Sequence, residues 1–243
     1  MAAHSAYLHY IPLAWPFLAI LALCLGLLLL LVQIRILRFA YMSLGVSSGW
    51  ALALLAASLL GSSIDIPIAE LSGGDLVAPG DVSFLGMRYP VPEFIDEPGV
   101  VLAINVGGAL IPTLLSLYLM ATRGIWGRAL VTTAVITVIC HMLAQPVRGV
   151  GIALPIFVPP IAAALVAAIV SWEELAPLAY VGGSLGVLLG ADVLNLGLLS
   201  TLGAPVASIG GAGTFDGIFV TGLLAALLAS LSRISEKWPP VFG

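Results

Sequence analysis

The chain has 243 residues, 61% of them hydrophobic, with 8 Lys and Arg against 12 Asp and Glu. Charged residues make up 8%, against about a quarter in an ordinary soluble domain, and the mean hydropathy is +1.18. This composition excludes a soluble globular domain, a disordered chain and, for want of any basic patch, a nucleic-acid binder. A membrane-crossing helix takes about 20 apolar residues, so the length accommodates seven or eight crossings.

In chain order, the first ten residues contain no Lys or Arg. They lack the charged start of a cleavable signal peptide, and the first apolar run is too long for one, so it is expected to be a retained span. The pattern predicts an all-α polytopic bundle, a single integral membrane domain over 1–243. Its spans fall at 13–34, 39–60, 100–121, 130–145, 157–172, 178–200 and 217–232. Cys24 and Cys140 lie inside apolar runs, which argues against a disulfide framework or a Cys-rich zinc site.

Arg35 and Arg38 follow the first span, Arg123 and Arg128 separate the third and fourth, and Arg233 and Lys237 follow the seventh. Placing those segments on one side gathers six of the eight positive charges there, leaving Arg88 and Arg148 opposite. The positive-inside rule makes that side the cytoplasm, with the N-terminus outside and the C-terminus inside. The expected location is the inner (plasma) membrane.

Three regions break the apolar pattern. Between spans two and three, the loop 61–99 contains seven acidic residues and one Arg from Asp65 to Glu97. Weak alternation at 64–68 and 82–85 predicts a small external β-hairpin there. After the fourth and sixth spans, the strings PVRGVGIALP and GAPVASIGGAGTFDG are too rich in glycine and proline for continuous helix. Non-helical backbone at membrane depth must be buried in protein or line a wet cavity. Aligning Pro146-Val147 with Pro205-Val206 suggests that spans four–five and six–seven repeat one hairpin.

Ionisable groups inside a membrane mark function by default. On this topology Asp65, Asn105, His141, Gln145, Arg148, Asp192, Asn195 and Asp216 all lie toward the outer side and point to one outward-facing pocket. His141 with Asp192 and Asp216 forms a donor set suited to zinc or a similar divalent ion, with a position left for water. Asp65 would be a fourth ligand or the general base. Arg148, Asn105 and Asn195 would donate to a developing oxyanion, with Ser62, Ser63 and Ser208 as lesser candidates.

Each residue also has a plainer reading. Asp216 is placed as a helix N-cap, Asp192 as a salt-bridge partner for Arg148, and His141 as an interfacial histidine. The two asparagines could be helix–helix glue, and Asp65 simply solvated.

The strings NVGGALIP (105–112), HMLAQPVRGVGIALP (141–155), GGSLGVLLGADVLN (182–195) and GAPVASIGGAGTFDGIF (203–219) carry a family resemblance. They resemble a widespread prokaryotic family of integral membrane proteins catalogued as a domain of unknown function, over 62–231. That resemblance implies a homotrimeric intramembrane metalloenzyme with seven spans per subunit and hydrolase activity, and His141, Asp192 and Asp216 as metal ligands.

The resulting expectation is a metal-dependent hydrolase, most simply with Zn2+, cleaving an amide or ester bond in a lipid-like or amphipathic substrate drawn from the bilayer. Three rivals stand beside it. An intramembrane aspartyl protease would use Asp192 with Asp65 or Asp216, although Gly190–Asp192 lacks the full GxGD string. An ion or solute transporter would use broken helices and intramembrane carboxylates. A metal that only braces the fold is the fourth.

Overall fold

The computed structural model describes residues 15–71, 75–84, 87–96, 100–147, 151–199, 206–211 and 217–237. The chain divides into two compact units, Met1–Leu37 and Arg38–Gly243. Most of the first helix, α1 (Trp15–Ser43), belongs to the former. Its leucines from Leu21 to Leu31 are exposed, as in a helix that is apolar all round and made for lipid.

The helix does not stop at Arg35–Arg38, where the charges suggested a connection. Arginine and leucine are good helix formers. The chain turns only at Leu44–Ser47, where Gly45 takes φ +85°, a left-handed conformation that glycine adopts freely. The next helix, α2, is Ser48–Gly61 rather than 39–60.

Seven apolar helices are described. Ala19–Ser43, Val106–Arg123, Trp126–Leu143 and Leu175–Leu198 are long and apolar enough to cross a membrane; Ser48–Gly61, Val158–Val170 and Gly217–Ser232 are shorter. Thirteen residues make a helix of about 20 Å, against a hydrocarbon core of about 30 Å.

The third expected span, 100–121, begins as strand. Val100-Val101-Leu102-Ala103-Ile104 forms β4 (Val100–Asn105) in a three-stranded sheet ordered β1-β4-β7. Here β1 is Asp65–Leu71, antiparallel to β4, and β7 is Val206–Ile209, parallel to it. Branched residues suit a pleated surface, and partners on both edges satisfy the β4 backbone. Helix starts at the Gly107-Gly108 pair, as a π-helical turn Val106–Leu110 that runs into α3 (Ile111–Arg123).

The two weakly alternating strings fall in different sheets. Residues 64–68 contribute to β1, while Val82–Phe84 closes β2 (Asp75–Phe84), which pairs antiparallel with β3 (Met87–Asp96).

The glycine-rich connections are built unlike each other where they are described. After α4 (Trp126–Leu143), β5 (Gln145–Val147) folds back on β6 (Gly151–Ala153). After the sixth apolar helix, β7 joins β4 instead. The suggested repeat therefore does not extend to strand pairing.

The core is organised around α6 (Leu175–Val187), buried along its length apart from half-buried Leu185. Lipid is as apolar as leucine, so close packing of small residues must hold such helices together. Gly182 faces Thr132, Gly186 faces Ile136 and Gly190 faces Cys140, all on α4. The partner numbers rise together, so α4 and α6 run parallel. On the other side, Gly183 meets Ala163 of α5 (Val158–Val170) and Thr221 of α8 (Gly217–Lys237), and Gly222 of α8 meets Tyr180. A Cβ on Gly190 would lie 2.9 Å from Cys140 Cβ and 3.1 Å from the His141 backbone nitrogen. Only glycine fits that contact.

Candidate functional site

The end of the bundle formed by the last turn of α4 and the first turn of α8 carries His141, Asp192 and Asn195 among the polar groups singled out above. Its backbone is irregular. From Leu188 to Asp192, α6 widens into a π-helical turn, tightens to a 3-10 turn at Val193–Asn195, and ends as the short α7 (Leu196–Leu199). Four-residue spacing overshoots a 3.6-residue turn, so the Gly182, Gly186, Gly190 stripe would drift by about 40° per step around a regular helix. The wider turn keeps Gly190 against α4.

Widening exposes carbonyls that a regular helix would satisfy, and Asn195 collects them. Its amide nitrogen donates to Gly190 O at 3.0 Å and to Ala191 O at 2.8 Å, and lies 3.4 Å from His141 Nδ1. Two carbonyl acceptors fix which side of the amide is nitrogen. Asn195 is 8% exposed, so the side chain is sealed into the turn that it stabilises. His141, on the last turn of α4, is exposed.

Asp192, at the end of the π turn, is half-buried and lines a cavity of about 210 Å³. Ile152, Leu154, Val187, Ile218 and Val220 are among its apolar lining residues, and Gly217, the first residue of α8, also lines it. Asp192 is the one ionisable side chain among the described lining residues. Asp216 and Arg148 lie outside the described residues. Among the described residues, no three His, Cys, Asp or Glu side chains cluster closely enough to hold a metal.

Asp65 and Asn105 form a second polar group, directly paired across β1 and β4. Asn105 is 1% exposed and makes three bonds. Its oxygen accepts from Gly108 N at 2.8 Å, capping the π turn, and its nitrogen donates to Ser62 O at 2.8 Å and to Asp65 Oδ1 at 3.0 Å. Ser208, on β7, donates its hydroxyl to the same Asp65 oxygen. An exposed carboxylate is thus oriented by two donors from two other strands. Ser62 and Ser63 spend their hydroxyls on the α2 carbonyls of Leu59 and Leu60.

The expected residues therefore divide between two places. His141 and Asn195 meet at the α4–α6 junction, and Asp192 lines a cavity to which His141 does not contribute; Asp65, Asn105 and Ser208 share the sheet. The two π turns were not anticipated, since their hydrogen-bond spacing leaves no pattern in the sequence. Their one advance sign is an asparagine beside paired or regularly spaced glycines.

Such a molecule, with seven apolar helices among its described residues and four of them long and apolar enough to cross a bilayer, is in class a helical membrane protein. It belongs to the family described as "Protein of unknown function (DUF1614)", whose model matches residues 59–228. No curated protein and no solved structure matches the chain.

Proposed function

We propose that this protein is an intramembrane metal-dependent hydrolase in which His141, Asp192 and Asp216 hold a divalent ion, most simply zinc. One observation carries the reading. The π turn that packs on the last turn of α4, where His141 sits, also brings Asp192 to a cavity lined by Gly217, the residue after Asp216. One imidazole and two carboxylates are a donor set that suits zinc and leaves room for a further ligand. When bound, the ion supplies Lewis acidity, which makes water a usable nucleophile at neutral pH.

The chain's own residues do the rest. Asn195 holds the π turn and so sets the position of Asp192. Asp65 serves as general base. Its Oδ1 receives both Asn105 and Ser208, which leaves Oδ2 to take the proton. The apolar walls of the Asp192 cavity favour an amide or ester attached to an aliphatic group, presented from the bilayer by a lipid-like or amphipathic substrate.

The proposal includes seven crossings with the N-terminus outside, an external position for the 61–99 segment, and a homotrimer in the plasma membrane.

Elemental analysis of detergent-purified protein, prepared without chelators, tests it. About one divalent ion per subunit, the content of a single tetrahedral site, is expected in the wild type and should be lost in both His141→Ala and Asp192→Ala. A folded wild type without metal overturns the reading and brings forward the transporter.

A further inference from the structure

At the opposite end of the bundle lies a larger and quite different space. A groove of about 820 Å³ runs between α2 and α3, walled by Trp50, Leu54, Ile111, Leu114 and Tyr118. From Ile111 to Arg123 it follows α3 for twelve residues, about 18 Å at the helical rise. Its polar lining is confined to one end, at Ser47, Thr122 and Arg123.

That end is positively charged. Arg123 donates to Glu174 at 2.9 Å and to Leu44 O at 2.7 Å. Arg38, across the Leu44–Ser47 turn, donates to Ser48 beside the rim and keeps its Nε buried without a partner among the described residues. The Arg38 guanidinium, its Nε without a hydrogen-bond partner among the described residues, thus adds a second positive charge beside Arg123 and its partner Glu174.

We propose that this groove binds one anionic phospholipid, its phosphate at the Arg38–Arg123 end and an acyl chain along the leucine wall toward Ile111. Three properties favour a lipid. The walls are apolar, with Trp50 69% and Tyr118 59% exposed, so they are surfaces suited to a membrane interface. The polar groups gather at one end only, which matches a molecule with one head and a long tail. The volume lies within the range of ligand sites, and basic pockets between membrane helices take acidic headgroups.

The test uses the full chain in mild detergent, offered equal amounts of phosphatidylglycerol and phosphatidylcholine and read by native mass spectrometry. Phosphatidylglycerol is expected to be retained roughly five-fold in preference, the ratio that one uncompensated arginine gives at a lipid surface. Arg38→Gln should erase that preference while lipid still binds. Leu114→Trp, at a position 55% exposed and so tolerant of a larger side chain, should fill the groove and abolish retention of both lipids. In a variant whose sole tryptophan is Trp50, brominated phosphatidylglycerol should quench its fluorescence in vesicles.

Equal retention of the two lipids by the wild type overturns the anionic headgroup. Absence of retained lipid, with Trp50 shielded from brominated chains, overturns the lipid altogether and assigns the groove to another helix, from α1 or from a second copy.

Discussion

The two ends of the bundle solve the same problem in opposite ways. At the arginine end, helices stop at ordinary places and long side chains tie the stops together. Arg123 reaches Glu174 at the start of α6 and the Leu44 carbonyl of the α1–α2 turn, and Arg128 reaches Ser171 after α5. The π-turn end is held differently. Two buried amides hold the irregular turns there: Asn195 donates to the carbonyls that its turn releases, and Asn105 accepts from Gly108 N while donating to Ser62 O at the end of α2. Exposed charge pairs contribute little and tolerate movement, whereas buried amides whose nitrogens are committed to fixed acceptors hold geometry tightly. The difference marks the π-turn end as the one that fixes its backbone geometry more tightly.

Substitutions at the two ends should therefore differ in size. The largest effect is expected for Gly190→Leu, whose side chain has no space beside Cys140 and the α4 backbone. Overpacking of this kind costs about 1–3 kcal/mol and more where backbone is struck, so thermal unfolding in detergent should show a large loss. The matching glycine at the other end, Gly127, has nothing within 4 Å of a Cβ position. Gly127→Ala should leave stability unchanged or raise it by up to about 1 kcal/mol through helix propensity. Equal sensitivity of the two glycines would break the comparison.

Next in size is Asn195. Asn195→Ala leaves the Gly190 and Ala191 carbonyls without their donor, a cost of about 1–3 kcal/mol. Asn195→Asp should be worse than alanine, since it sets a carboxylate oxygen against two carbonyl oxygens. If both variants unfold together with the wild type, the π turn does not depend on its amide.

At the sheet, Ser208→Ala removes one of the two donors on Asp65. It should cost about 1 kcal/mol or less at an exposed carboxylate, while lowering hydrolytic turnover more than it lowers metal content. The smallest effect belongs to the arginine end. Glu174→Gln breaks a partly exposed ion pair, with side chains 32% and 26% accessible, and should change stability by about 1 kcal/mol at most.

The sequence and the fold part company at identifiable residues. Hydropathy alone picks out seven apolar segments, and each overlaps a described apolar helix, four of them long enough to cross a bilayer, because a bilayer demands long runs without charge whatever the packing. The same constraint makes Asp192 and His141 conspicuous. It could not show that 100–105 is strand, since an apolar branched run reads alike as buried strand or membrane helix until partners appear. Those partners, β1 and β7, lie far away in the chain. Nor could it place the α1–α2 turn at Gly45 rather than at the arginines, which a helix accommodates without difficulty.

The roles of Asn105 and Asn195 were legible only as polar residues in apolar surroundings. Their assignment to particular backbone groups depends on two π turns, and a π turn arises from how neighbouring helices meet, here through Gly107 against α2 and Gly190 against α4. Composition and periodicity are local properties, and they suffice to say that this chain is made for a membrane and which of its residues are costly there. Which of those residues share a site, and which merely hold the backbone that aims them, depends on contacts between distant segments, and only the folded chain decides it.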